Sequence, residues 1–506
     1  MPAFPPSSMF TQLTSFAGIG LHCERITVEV GSTKGEGKFF IVGLADTAVQ
    51  ESKQRVSHAL RQSGYHFPTG RVAIVNLAPA DIRKIGPRYD LAIALGLLIA
   101  HDLVYIPEKI LETTAFLGEL SLDGALRHVS GVLPAAIACK KLGVKTLVVP
   151  EINGPEAALI ADVNVIAPQT LQELLQILQG QRKAAPVKPP ADIPSTGTGY
   201  IDFADVRGQE QAKRALEIAA AGGHNVLLSG TPGSGKTLLA RAFPQILPPL
   251  TREESIEVTQ IYSVANLLPK NMPLIQRRPF RIVHHTASGV SIVGGGQIPG
   301  PGEISLAHRG VLFMDELGEF PAYVLEVLRQ PLEDHTITIT RAKGSITFPA
   351  DFTLVAAMNP ATFSPGNQER AQRRISAPLL DRIDLTVNVQ AVPIEDLQRK
   401  PAAGTETSAQ IAKRVLQARK RQAERFMGMG IRTNTEMHVK QIDELCELDR
   451  ESEKLLKQAV ERMGLSARGY HRTIKVARTI ADLAGAIAIE TPHIAEALQY
   501  RQSLPE

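Results

Sequence analysis

The stretch "NVLLSGTPGSGKTLLARAF" places phosphate chemistry in this chain. Its loop Gly230-Thr231-Pro232-Gly233-Ser234-Gly235-Lys236-Thr237 satisfies G-x-x-x-x-G-K-[ST]. Glycines let backbone N–H groups close around phosphate oxygens at a helix N-terminus, where the dipole also favours anions. In this pattern Lys236 reaches the β- and γ-phosphates of a nucleotide and the Thr237 hydroxyl ligates Mg²⁺. A strand-like run precedes the loop and a helix follows it, which separates it from a chance match. The second half of such a site is an apolar strand ending in acids, and "GVLFMDELGEF" supplies it: Val311 to Met314, then Asp315 and Glu316. Asp315 suits the Mg²⁺ shell, and Glu316 is placed to polarise a water against the γ-phosphate. Taken alone, Asp-Glu after an apolar run is as often a plain helix start; the phosphate loop makes the pair specific.

Two further side chains stand where such chemistry would use them. "LVAAMNP" ends a buried strand in Asn359, whose carboxamide would orient the attacking water; the alternative is a turn former before Pro360. "SAPLLDRIDL" sets Arg382 between Asp381 and Asp384. It is either a surface ion pair, worth little, or an arginine finger that stabilises charge on the transferring phosphoryl group. Spacing does not choose between them.

The elements that must position these residues are legible in outline. "HTITITRAKGSITFPADF" alternates threonine and isoleucine, breaks at "AKGS" and resumes. It reads as a hairpin with Arg341 and Lys343 near its tip, directly before the Asn359 strand. At 506 residues the chain holds two to four domains. A linker rich in proline, lysine and small polar residues runs from 179 to 200 and separates a mixed α/β region, 10–178, from a second one, 201–395. From 396 to 506, and clearly from Thr407, the pattern is almost purely helical.

Composition is that of an ordinary globular protein, 44% hydrophobic and 21% charged. No run of eighteen apolar residues marks a membrane span, and "MPAFPPSSMF" lacks a secretion signal's basic head and apolar core. Cys23, Cys139 and Cys446 are isolated, without metal-site spacing, and fit a reducing, cytoplasmic setting as small buried residues. Net charge is only +4, so any nucleic-acid binding must come from local patches such as Arg61, Arg71, Arg83, Lys84 and Arg88.

With the phosphate loop, "FMDE", the hairpin, "AAMNP" and "LLDRIDL" in this order, the chain resembles Mg-chelatase-like AAA+ ATPases of the ComM/YifB type. "NLAPAD", "RYDL", "GELSLDG", "GEISLAHRGVLFMDEL" and "IKVARTIADL" carry the likeness across nearly the whole chain. The resemblance implies ATP and Mg²⁺, a P-loop α/β domain with a pre-sensor-1 β-hairpin and a helix-2 insert ("HHTASGVSIVGGGQIPGPGEISLAHRG"), and a C-terminal helical lid. It implies that Arg382 is a finger supplied in trans, within a ring of about six copies. It also implies that Arg468 is the second sensor arginine, with Arg472, one turn on, as the competing choice. The hairpin would put Lys343 and Arg341 in a central channel against DNA phosphates; an exposed hairpin with solubilising charge is the plain alternative. Relatives carry Cys-Pro-Cys-Gly after "NP"; here "NPATFSPGNQERAQRR" offers Arg370, Arg373 and Arg374 instead.

The first region resembles the Lon-type protease fold, an α+β domain, but Arg88 stands where the serine would be and Pro134 where the lysine would be. Neither can serve as nucleophile or activating amine. Lon-like domains without that dyad also occur in a DNA-repair ATPase family, a likeness of fold only. The function implied is helicase-like branch migration in recombination and natural transformation, with recombination partners. Two rivals stand beside it: a metal-insertion motor, whose partner's D-x-S-x-S metal site has no match here, and a nucleotide-switched scaffold.

Overall fold

Alternation builds the first sheet. Phe10–Ile19 (β1) and His22–Lys34 (β2) turn Leu13, Ile26, Val28 and Val30 inward and pair antiparallel from Phe10 opposite Gly31 to Ile19 opposite His22. Phe39–Val42 (β3), Arg71–Ala78 (β4), Thr114–Phe116 (β5), Thr146–Val148 (β6) and Asn164–Ile166 (β7) complete a sheet of order β3-β4-β2-β1-β5-β6-β7. Thr47–Gln62 (α1), capped by Asp46, packs near Asp90–Ala100 (α2). Helix α2, "DLAIALGLLIA", is apolar all round and almost entirely buried, as such a helix must be. Each of its leucines withdraws surface worth roughly 1.5–3 kcal/mol, so Leu95→Asp would break this core. Val132–Leu142 (α3) and Leu171–Leu178 (α4) finish the layer.

The computed structural model describes residues 10–66, 68, 70–190, 201–269, 272–296, 299–341, 344–359, 375–393, 395 and 405–501. They form two compact units: the described residues through 190 with Arg252–Ile275, and those from 201 to 251 with those from 276 onward. The helix Arg252–Val264 thus packs in the first unit, although in sequence it follows the phosphate loop. There Ser263 and the backbone amide of Leu133 both donate to Glu156, whose carboxyl is pushed up by burial, and Ile256 and Leu274 pack on Leu133 and Leu159.

In the second unit, Glu210–Gly222 (α5) leads into Val226–Ser229 (β8), four consecutive buried residues, and Lys236–Ala242 (α6) follows the loop. Phe280–Val283 (β9), Val311–Met314 (β10), Thr353–Met358 (β13) and Leu385–Asn388 (β14) join β8 in a parallel sheet of order β9-β10-β13-β8-β14. Between β10 and β13 the strands Thr336–Arg341 (β11) and Gly344–Pro349 (β12) form a separate antiparallel hairpin, Arg341 opposite Gly344. Ile337, Ile339 and Phe348 face inward, while the Thr338–Thr347 and Thr340–Ser345 hydroxyl pairs, each 3.0 Å apart, line the exposed face. Lys343 lies outside the described residues, as do Arg370, Arg373 and Arg374.

The glycine-rich insert forms short helices, Gly289–Val293 (α7) and Glu303–Leu306 (α8), with a ribbon of Gly294–Gly295 against Gly300–Pro301. Gly294 must be glycine: its φ is +102°, and a Cβ there would meet Ile339 of the hairpin at 2.7 Å. Pro331–Asp334 (α9) precedes the hairpin and Ala377–Leu380 (α10) precedes β14. The C-terminal helices are Ser408–Arg425 (α11), Val439–Leu445 (α12), Arg450–Met463 (α13), Ala467–Ala484 (α14) and Thr491–Gln499 (α15). Thr407, Asp449 and Ser466 cap α11, α13 and α14, and Gly485 in the left-handed region stops α14. No helix of the described residues is long and apolar enough to cross a membrane.

Candidate nucleotide site

The chemistry gathers at the C-terminal ends of three adjacent parallel strands, β10, β13 and β8, where open α/β sheets bind ligands. The phosphate loop runs from β8 into α6. Gly233 and Gly235 sit at φ +77° and +96°, the left-handed geometry that turns successive N–H groups to one side, and a Cβ on Gly230 would come 2.2 Å from the Val389 carbonyl. Lys236 is buried, and its ammonium donates to the Gly230 and Thr231 carbonyls at 2.9 and 2.8 Å. Burial lowers its pKa, opposed by the nearby carboxylates of Asp315 and Glu316. The Thr237 hydroxyl donates to Asp315 Oδ2 at 3.3 Å. These two oxygens already lie within one hydrogen bond of each other, so a single hard cation can touch both, and the donor set suits Mg²⁺.

Glu316 follows β10 with φ +54°, exposed, its Oε2 3.1 Å from Nδ1 of His285. His285 was not singled out by the sequence reading, because it lies in the glycine-rich insert far from the acids in the chain. Asn359 continues β13, whose Met358 carbonyl accepts from the Gly230 amide at 3.1 Å, so its backbone lies beside the start of the loop. The structure therefore brings together Gly230 to Thr237, Asp315, Glu316 and Asn359.

The arginines sit differently. Arg382, between α10 and β14, is not paired with the acids that flank it. Its side chain is 5% exposed, one terminal nitrogen donates to the Pro378 carbonyl at 2.7 Å, and the other donates to Glu333 of α9. Arg468, at the start of α14, is 60% exposed and lies 3.6 Å from the other oxygen of Glu333. Arg472 donates to Asp384 at 3.0 Å. Asp384 is buried and also accepts from the Asn225 amide, with His224 Nδ1 3.5 Å away. Burial alone would raise the Asp384 carboxyl, but Arg472 and His224 outweigh it and hold it well below the usual carboxylate range. Burial also lowers His224, whose Nε2 meets Thr479 of α14 at 2.8 Å, so this polar knot ties the lid helix to the sheet. For Arg341 the structure gives the strand position opposite Gly344.

In the first unit, Arg88 lies in the turn before α2 and Pro134 in the first turn of α3. The head of α3 comes near Arg88: a Cβ on Gly131 would lie 3.6 Å from the Arg88 guanidinium. Lys84 drops out of the basic surface, since it is fully buried and donates to the Pro79 carbonyl, and Arg71 pairs with Asp102 at 3.5 Å. Burial pushes Cys23 and Cys446 up to about 11 and Cys139 to about 12, so all three are protonated thiols at neutral pH. Among the described residues no group of His, Cys, Asp and Glu is arranged to hold a metal ion by itself.

Residues 28–153 match the model described as subunit ChlI of Mg-chelatase, 202–397 that of magnesium chelatase subunit ChlI, and 405–501 that of the ChlI C-terminal part. The chain is 44% identical over 501 residues, 96% of each chain, to the competence protein ComM of Haemophilus influenzae. It is 42% identical over 495 residues, again 96% of each, to protein YifB of Escherichia coli. A magnesium-chelatase 67 kDa subunit of Chlorobaculum parvum matches at 29% over 204 residues, 40% of this chain and 28% of that one. Matched along nearly its whole length and carrying the phosphate loop and acid pair at adjacent strand ends, the chain belongs to the Mg-chelatase-like AAA+ ATPases of the ComM/YifB type.

Proposed function

We propose that this protein is an ATP-hydrolysing ring motor of about six copies that moves DNA as a helicase or branch-migration enzyme in homologous recombination or natural transformation. The observation that carries the reading is the full-length likeness to a competence protein, joined to a complete set of hydrolytic side chains. Lys236 and the loop amides would hold the β- and γ-phosphates, Glu316 would take the proton of the attacking water, and Asn359 would orient that water. Mg²⁺, held by Thr237 and Asp315, would neutralise developing phosphate charge. Arg382 would reach a neighbour's nucleotide in trans, and Arg468 would act as the second sensor. The hairpin tip, Arg341 and Lys343, would grip DNA phosphates, and the first unit, a Lon-like domain without its dyad, would serve as a platform for the ring and for recombination partners in the cytoplasm.

The test is strand displacement from a labelled three-way DNA junction with ATP and Mg²⁺, with Glu316→Gln as control. The wild type resolves the junction; the variant binds ATP, hydrolyses it about 10²–10⁴-fold more slowly and leaves the junction intact. A wild type that hydrolyses ATP and leaves every junction intact sinks the DNA reading in favour of a metal-insertion motor or a nucleotide-switched scaffold.

A further inference from the structure

Glu333 holds both arginines that are expected to meet phosphate. One carboxylate oxygen accepts from Arg382 and the other lies 3.6 Å from Arg468. With its second terminal nitrogen on the Pro378 carbonyl, the Arg382 guanidinium is turned into its own subunit. Glu333 itself is half exposed, at 54%, and it belongs to α9, which leads within two residues into strand β11 of the hairpin. The other side of the same junction is tied as well. His335 Nδ1 lies 3.2 Å from Asp351 Oδ1, and Arg309 and Arg432 both donate to Asp351 Oδ2. The base of the hairpin is therefore bound to the Arg382 loop and to lid helix α14 through Glu333, and again to the lid region through Arg432.

A carboxylate and a phosphate compete for the same guanidinium donors. A finger cannot reach a neighbouring nucleotide while its terminal nitrogens are spent on Glu333 and Pro378. We infer that Glu333 is a positioning residue that Arg382 and Arg468 exchange for nucleotide phosphate, and that this exchange frees the base of the hairpin. The inference rests on the reading of Arg382 as a phosphate-contacting finger. It adds a device to that reading: a single carboxylate keeps the finger withdrawn in a lone subunit and joins its engagement to the one element that would touch DNA.

The experiment compares wild type, Glu333→Gln, Glu333→Asp, Arg382→Ala and the double variant Glu333→Gln/Arg382→Ala. Turnover is measured against ATP and subunit concentration, junction resolution is measured in parallel, and melting temperature monitors the fold. Without its competitor, Arg382 engages more readily. Glu333→Gln is expected to raise basal turnover roughly two- to five-fold, the scale of a half-exposed ion pair, and to shift its dependence to lower subunit concentration. Junction resolution does not rise with it, so more ATP is consumed per junction. Glu333→Asp restores wild-type behaviour, and the double variant matches Arg382→Ala, because Glu333 acts through that arginine.

An unchanged Glu333→Gln beside an inactive Arg382→Ala overturns the exchange and leaves the finger standing. An effect of Glu333→Gln that persists in the double variant also overturns it, as does a fall in turnover that tracks a fall in melting temperature. If Arg382→Ala turns over ATP like the wild type, the finger assignment itself fails and takes the exchange with it.

Discussion

Arg472 and Arg468 stand one helical turn apart on α14, and the structure gives them opposite consequences when truncated. Arg472→Ala removes the strongest favourable partner of a carboxylate that is 3% exposed, leaving Asp384 with the Asn225 amide and His224. Breaking a buried pair costs about 3–5 kcal/mol because one charge is left behind. The surviving partners and the 21% exposure of Arg472 put this case near the lower end. A cost of about 3 kcal/mol corresponds to a fall of roughly 6 °C in the melting transition of a unit this large. The pH dependence has a definite sign. The Asp384 carboxyl is held below its unfolded value of about 3.9, so its stabilisation is present above that value and is lost as pH falls through the folded one. Without Arg472 the folded value rises, and acid denaturation begins at higher pH. Calorimetric melts from pH 7 to pH 2 read both effects. Arg468→Ala, at an exposed position, should melt within about 1 °C of wild type while slowing ATP turnover. If Arg472→Ala melts like wild type and loses turnover, while Arg468→Ala does neither, the structural reading of Arg472 is refuted and Arg472 is the sensor.

Two further outcomes follow from single sites. Cys139 and Cys446, buried and with thiols pushed up to about 12 and about 11, should resist iodoacetamide at pH 7.5 in the native protein and react within minutes in denaturant; rapid native labelling would contradict their burial. Asp351 raises the pKa of His335 above its ordinary value, so the contribution of His335 is complete below about pH 6.5 and is lost as pH rises through the raised value. The stability gap between wild type and His335→Ala should therefore narrow from pH 6 to pH 8.5 in thermal melts, and a gap that widens would refute the pairing.

The parts of the site that were legible in sequence are those written in contiguous residues. The phosphate loop, the Asp315–Glu316 strand end, the Asn359 strand and the Ile337–Ile339 alternation each combine local geometry with local composition, and the chain folds them as read. What escaped depends on contacts made at long range. Arg382 lies between two acids in sequence yet donates to Glu333, because the turn after α10 directs its side chain toward α9 and not along the chain. Asp384, beside it, is drawn inward by Arg472 and the Asn225 amide. His285 reached Glu316 across neighbouring strands β9 and β10, a register no spacing rule reveals. Lys84 looked like surface charge because lysine normally is, and only the fold around the Pro79 carbonyl buries it. The packing of helix Arg252–Val264 escaped as well, because apolar positions on a helix say that a face is covered without saying by what.

That helix has a consequence for how the chain can be inherited and dissected. Because the first unit borrows Arg252–Ile275 from beyond the phosphate loop, the stretch 179–200, which the sequence suggests as a linker, is not a seam at which the protein comes apart into two whole pieces. A fragment ending there would lack Ser263 against Glu156 and Ile256 and Leu274 against Leu133 and Leu159, leaving a buried carboxyl short of a donor and an apolar patch open to water. The two halves are in this sense interleaved in the genetic text. Recombination between relatives that swapped one half at the linker would deliver a first unit with a foreign helix, and compatibility at Glu156 and Leu133 would decide whether the hybrid folds.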